Sequence, residues 1–205
     1  SFGFFDIYNW KKIVHGEENI TVKILGLEGS PRKIGNTEKL VKAILDGATE
    51  RGAETKFYKL AKMNISLCLG CFSCRETGAC VTEDDMQLLH EEIQASDAII
   101  LGSPVYMWQV SGQTKLFMDR LVPFIKPDFT TRLKGKKSVF MVFTQGNPDE
   151  KSFKSYFEYL ENLFSFLHYD VKGTMVATGT RDKNDILQQV DVLEKAREIG
   201  KNLVT

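Results

Sequence analysis

Residues 98–103, Ala-Ile-Ile-Leu-Gly-Ser, form a continuous run of apolar and small residues that stops at Pro104. A strand with one solvated face alternates apolar and polar residues. A run without alternation needs cover on both faces, as in a central strand of a parallel sheet with helices on either side. The rest of the chain supplies the other parts of such a sheet. Residues 21–27, 54–60, 138–144 and 171–177 read as further strands. Between them, residues 37–50 carry Leu40, Val41, Ile44 and Leu45 at helical spacing, and residues 84–95 carry Met86, Leu88, Leu89 and Ile93 behind Asp84 and Asp85, which suit a positive helix N-terminus. Helices are also predicted over 111–122, 153–167 and 186–203. Five strands alternating with helices predict an α/β fold, a five-stranded parallel doubly wound sheet between two helical layers. Ligands of such sheets bind at the carboxyl ends of the strands, where strand order reverses. The loops to inspect are therefore 28–36, 104–110 and 145–150.

Composition narrows the partners. The 205 residues hold 27 basic and 27 acidic side chains, so no net field exists to draw in nucleic acid or an anionic membrane. No stretch is apolar enough to span a bilayer, and the first twenty residues lack the pattern of a signal peptide, so a cytoplasmic location is expected. Those residues form a separate N-terminal arm, 1–20, ahead of one domain, 21–205. Its Phe2, Phe4, Phe5, Ile7, Tyr8, Trp10 and Ile13 suit packing against the domain or a twin subunit.

All four cysteines lie between Cys68 and Cys80, as C-x2-C-x2-C-x5-C. Packing cysteines scatter through apolar segments, whereas this run puts four soft ligands in one loop, residues 68–80. In a reducing compartment it reads as a metal-sulfur site; zinc, a thiol pair or a disulfide are the other readings. His15, His90 and His168 fall in unrelated segments with no metal-ligand spacing.

The first loop, Gly29-Ser30-Pro31-Arg32-Lys33-Ile34-Gly35-Asn36-Thr37, offers hydroxyls, backbone N–H groups, a guanidinium and a helix N-terminus to one point, as a phosphate requires. It has neither the G-x-x-x-x-G-K-[ST] nor the G-x-G-x-x-G order. The plainer alternative is a tight turn in which Asn36 or Thr37 caps the helix. In the second loop Tyr106, Met107 and Trp108 give the flat, polarizable surface that a planar ring wants, or else a subunit contact.

Taken in order, Gly29-Ser30-Pro31-Arg32 with Gly35-Asn36-Thr37, Ser103-Pro104-Val105-Tyr106, Ser111-Gly112-Gln113 and Asp119-Arg120 resemble the NADPH-dependent FMN reductase families of flavodoxin-like fold. With the cysteine run added, the chain resembles the iron-sulfur flavoproteins. The resemblance implies strand order 2-1-3-4-5, FMN, and a [4Fe-4S] cluster on Cys68, Cys71, Cys74 and Cys80. It places the phosphate on Ser30, Arg32, Gly35, Asn36 and Thr37 and the ring against Pro104, Val105, Tyr106, Met107 and Trp108, with its other edge at Thr144, Gln145 and Gly146. It implies an FMN-dependent oxidoreductase, a homodimer or homotetramer, that moves electrons between cluster, flavin and a small redox substrate or an electron-transfer protein such as ferredoxin. NAD(P)H or ferredoxin is the implied donor, and the cluster would face the flavin of a neighbouring subunit. Two other functions fit the motifs: a cluster-free NAD(P)H-dependent FMN or quinone reductase, and a non-enzymatic flavodoxin-like carrier. Glu28, a carboxylate just before the phosphate loop, and the bulk of Met107-Trp108-Gln109 depart from the family pattern. The cysteine loop leaves the second strand near its carboxyl end, so it is expected on the ligand side.

Overall fold

The computed structural model describes residues 21–204, so the N-terminal arm lies outside the described residues. Strand β1 (Lys23–Glu28) is followed by helix α1 (Asn36–Glu50) and strand β2 (Glu54–Lys59). The cysteine segment then contains one short helix, α2 (Ser73–Thr77), before helix α3 (Met86–Ala95). Strand β3 (Ala98–Tyr106), a short β4 (Gln109–Val110) and helix α4 (Gly112–Asp119) come next. Strand β5 (Ser138–Thr144), helix α5 (Lys154–Phe166), strand β6 (Asp170–Ala177) and helix α6 (Val190–Asn202) complete the order.

The sheet runs β2-β1-β3-β5-β6, all parallel, with β4 paired antiparallel to the end of β3. Counting the five long strands alone, this is the expected order 2-1-3-4-5, with its switch point between β1 and β3. The two helical layers bury two separate cores. Leu40, Val41 and Ile44 of α1 pack with Ala196 of α6 on one face, and Leu89 and Ile93 of α3 with Phe117 of α4 and Phe157 and Phe164 of α5 on the other. Helices α1 and α6 approach so closely that a Cβ on Gly47 would collide with the Arg197 carbonyl, and one on Gly200 with that of Ile44. Among the described residues no helix is long and apolar enough to cross a membrane.

The expected end of the third strand at Pro104 is not what the structure shows. Strand β3 continues to Tyr106, with Pro104 in register with Thr144 of β5. On its other side β1 pairs only as far as Gly102, so the proline interrupts no ladder there. Met107 and Trp108 then form a two-residue hairpin turn, both at positive φ, 45° and 68°. Such a turn suits the twist of antiparallel strands but usually takes Asn-Gly. The predicted loop 104–110 is thus a rigid, strained hairpin.

Candidate functional site

A cleft of about 250 Å³ opens at the carboxyl ends of β1, β3, β5 and β6, across the switch point. From the first loop Ser30, Arg32, Asn36 and Thr37 line it; Pro104, Val105 and Tyr106 line it from β3; and Thr144 and Gly146 from the end of β5. The structure thus brings together most of the residues singled out for a cofactor. It does not bring Gly35, Met107, Trp108 or Gln145 to the cleft lining. Gly35 is the N-cap of α1. Met107 and Trp108 project outward, 94% and 78% exposed, with Trp108 inclined against Phe153. Gln145 is buried and turns its amide onto the carbonyls of Asn147 and Asp149, 3.1 and 2.8 Å away.

The plain capping reading of the first loop fails. No side chain caps α1: Asn36 donates through Nδ2 to the Asp182 carbonyl and accepts from the Ile186 N–H, and the Thr37 hydroxyl sits 2.7 Å from that of Thr144. The first-turn N–H groups of α1 lack side-chain acceptors, the condition under which a helix N-terminus binds an anion. Other donors of the loop are already used. Ser30 N–H donates to Glu28 Oε1, Arg32 N–H to Ser30 Oγ, and Ile34 N–H to Glu38 Oε2. Ser111, the N-cap of α4, donates its hydroxyl to the Gly29 carbonyl at 2.7 Å and ties the loop to the second helical layer.

The run Arg181-Asp182-Lys183-Asn184-Asp185 after β6 reads in sequence as a charged loop, with the border of the pocket as its other reading, and in the structure Thr180 and Arg181 line the cleft. Arg181 Nε donates to the Gly146 carbonyl at 3.2 Å, and Arg32 Nη1 donates to the Arg181 carbonyl at 2.6 Å, so two guanidiniums cross the mouth. Lys39 adds bonds from α1 to the Lys183 carbonyl and Asn184 Oδ1. The only signal for this in the sequence was position, since the loop follows a strand's carboxyl end.

Beneath the phosphate loop lies an ion triad. Glu28 is fully buried; Lys59 Nζ stands 3.1 Å from its Oε2, outside hydrogen-bond angles, and donates to Glu38 Oε2 at 2.9 Å. Burial drives the Glu28 pKa upward, the Lys59 charge and the Ser30 N–H oppose it, and Glu38 adds repulsion, leaving it at about 7. Burial works on Glu38 in the same sense, but hydrogen bonds from Lys42 and Lys59 overcome it and hold that carboxyl at about 2. Glu28 points beneath the loop rather than into the cleft.

The cysteine loop forms a second site. All four thiols are free and line one narrow cavity of about 20 Å³ together with Leu69, Phe72, Val81 and Val122. Cys74 is buried on α2, Cys80 partly covered, and Cys68 and Cys71 exposed. Among the described residues no three His, Cys, Asp or Glu donors converge as a single metal ion would need. Burial raises the pKa of Cys74, and its three cysteine neighbours add to the rise. The loop leaves the carboxyl end of β2 and returns at the N-terminus of α3, but none of its residues lines the cleft, and α2 packs on the turn Val122–Phe124 that follows α4.

A larger concavity than the cleft, about 690 Å³, lies elsewhere again, between α4 and α5. Phe129, Tyr159, Leu163 and Phe166 line it, and of the switch-point loops only Gln109 of the hairpin reaches its rim, while the residues of the phosphate loop and the β5 and β6 ends do not. The smaller cleft, where polar donors converge at the strand ends, is therefore the candidate site.

Comparison with known proteins agrees with this fold. A family described as NADPH-dependent FMN reductase matches residues 22–169. An iron-sulfur flavoprotein of Methanocaldococcus jannaschii is 34% identical over 194 residues, covering 89% of this chain and 95% of its own. An iron-sulfur flavoprotein of Methanosarcina thermophila is 34% identical over 139 residues, 68% of this chain and 73% of its own. Among solved structures, an NAD(P)H:quinone oxidoreductase from Methanothermobacter marburgensis superposes with a TM-score of 0.71 at 18% identity, over 89% of this chain and 97% of that one, and shares the fold. The chain belongs to the NADPH-dependent FMN reductase family, among its iron-sulfur flavoproteins.

Proposed function

We propose that this flavin-dependent oxidoreductase holds FMN in the switch-point cleft and a [4Fe-4S] cluster on Cys68, Cys71, Cys74 and Cys80, and passes electrons between them and an external partner. The observation that carries the reading is the gathering of four free thiols around one cavity in a chain of this fold. The donor set suits the group: thiolates are the ligands of iron-sulfur clusters, and sulfurs that line a cavity without converging on one point suit a body held at separate corners better than a single zinc ion. Because the cavity is narrow, the exposed side of the loop, Cys68 and Cys71, has to stand further out to hold a cubane.

In the cleft, the α1 N-terminus with the hydroxyls of Ser30 and Thr37 and the Arg32 guanidinium receives the phosphate. Pro104, Val105 and Tyr106 form the apolar wall for the ring, and Thr144 and Gly146 its far edge. Bound FMN supplies exchange of one or two electrons; the protein orients it and sets its electrostatic surroundings. NAD(P)H or a ferredoxin fits as donor, and a small redox substrate or an electron-transfer protein as acceptor.

Leu67, Leu69, Phe72 and Val81 form an exposed apolar collar around the cysteine cavity. With the cleft on a different part of the subunit, this supports a homodimer or homotetramer in which a cluster faces a neighbour's flavin. The test is the absorbance spectrum of anaerobically purified protein with iron and sulfide analysis. Flavin bands with about four irons and four sulfides per chain support the reading. Flavin without iron leaves a cluster-free reductase, and absence of both chromophores overturns it.

A further inference from the structure

Arg120 follows α4 at its C-terminal end and is the largest fully buried side chain among the described residues. A guanidinium is never placed there cheaply, so its partners matter. Nη1 donates to the Ser66 carbonyl at 2.9 Å and to Asp84 Oδ2 at 2.7 Å; Nη2 donates to the Thr82 carbonyl and to Asp84 Oδ1, both at 3.1 Å. Ser66 stands two residues before the first cysteine and Thr82 two residues after the last. One side chain from α4 therefore holds both stems of the cysteine loop.

Asp84 completes the clasp. Besides the bidentate pair with Arg120, its Oδ2 accepts from the Ser66 N–H and its Oδ1 from the Met86 N–H at the start of α3. Gln87 closes the same corner, donating to the Thr82 carbonyl and accepting from the Asp84 N–H. His90 of α3 holds the arginine's own backbone, with Nε2 2.7 Å from the Arg120 carbonyl. The remaining nitrogen, Arg120 Nε, is buried without a hydrogen-bond partner.

We propose that Arg120 is the positioning residue of the cysteine site: it fixes the span between the loop's two stems, so that the loop is held for a cluster. This rests on the cluster reading above. Stems held two residues outside the ligand run confine adjustment to the loop itself. The motif Asp119-Arg120, which the flavin site leaves without a role, thereby acquires one.

The test compares wild type, Arg120→Lys, Arg120→Met and Asp84→Asn, each purified anaerobically. FMN per chain, iron and sulfide per chain, the electron paramagnetic resonance of the reduced cluster and its midpoint potential are measured. FMN content is expected to match wild type in Arg120→Lys and Asp84→Asn, while iron and sulfide fall at least threefold. Arg120→Lys, which can still donate to a stem carbonyl and to Asp84, should retain more iron than Arg120→Met, and the remaining cluster in Arg120→Met should show an altered resonance. Wild-type iron, spectra and potential in the variants would overturn the proposal. Parallel loss of FMN and iron in all of them would overturn it too, since Arg120 would then serve the whole fold. Wild-type protein with flavin and no iron would instead defeat the cluster reading itself.

Discussion

Replacing Glu28 with glutamine isolates the energetic cost of the carboxylate under the phosphate loop. The amide is of similar size and still accepts from the Ser30 N–H, but it cannot ionise. In the folded protein the Glu28 carboxyl titrates near 7, against 4.5 for an unperturbed one. The folded state therefore keeps a proton that the unfolded chain releases, and stability falls as pH rises from about 4.5 to 7, the loss being complete above that range. A shift of this size corresponds to about 3 kcal/mol, at 1.4 kcal/mol per pKa unit, with no allowance for solvent screening because the side chain is fully buried. Glu38 works in the opposite sense and in another window: its depressed pKa contributes stability that is present above 4.5 and lost as pH falls toward 2. Urea unfolding of wild type and Glu28→Gln at pH 5, 6, 7 and 8 should show the variant gaining on wild type by about 2.5 kcal/mol across the series, the first part of the loss having occurred below pH 5. A difference that stays constant between pH 5 and 8 would refute the reasoning, because it would mean that Glu28 is ionised throughout.

Arg32→Ala should weaken FMN binding by tenfold or more, about the 1.5–3 kcal/mol of a charge-assisted hydrogen bond, and quenching of flavin fluorescence on titration checks it; unchanged affinity removes Arg32 from the phosphate site. Cys74→Ser, at the buried cysteine, should abolish iron incorporation yet leave the flavin bands in place. Exchanging Met107-Trp108 for Asn-Gly should raise stability by about 1 kcal/mol, because relief of two strained φ values exceeds the lost Trp108–Phe153 contact, and thermal unfolding of the double variant reads this directly.

The sheet was legible because its signal is long and repeated. The apolar run at 98–103 could only be a doubly covered strand, and Leu40, Val41 and Ile44 could only face a core; all are buried. The phosphate-loop residues were legible because a strand, a polar loop and a helix N-terminus follow one another within a few residues. What escaped depends on contacts between segments far apart in sequence. Pro104 within β3 is tolerated only because β1 ends its pairing at Gly102, which residues 98–106 do not reveal. Arg181 reaches the cleft only because β6 lies beside β5, and its charged neighbours look like any solvated turn. The side of the molecule taken by the cysteine loop is decided by Arg75, which donates to the carbonyls of Lys126 and Pro127, and by Arg132, which donates to those of Arg75 and Glu76. Neither pairing leaves a local pattern. Predicted helix ends also overran, as at 186–203, where a short turn over Asp185–Gln188 precedes α6.

The contact of α1 with α6 bears on how this protein can be altered. With backbone against backbone at Gly47 and Gly200, no other amino acid fits at either place without prising the helices apart, so α1 is pinned in its C-terminal half. Of the loops around the cleft, the phosphate loop carries a similar constraint at Gly29, where a Cβ would collide with the buried Thr114 hydroxyl, and the others do not. Variation that retunes substrate or potential is therefore open to residues 104–110, 145–150 and 178–185, while libraries that touch the α1–α6 seam will mostly return unfolded chains. A selection experiment should recover diversity in the first group and two invariant codons in the second.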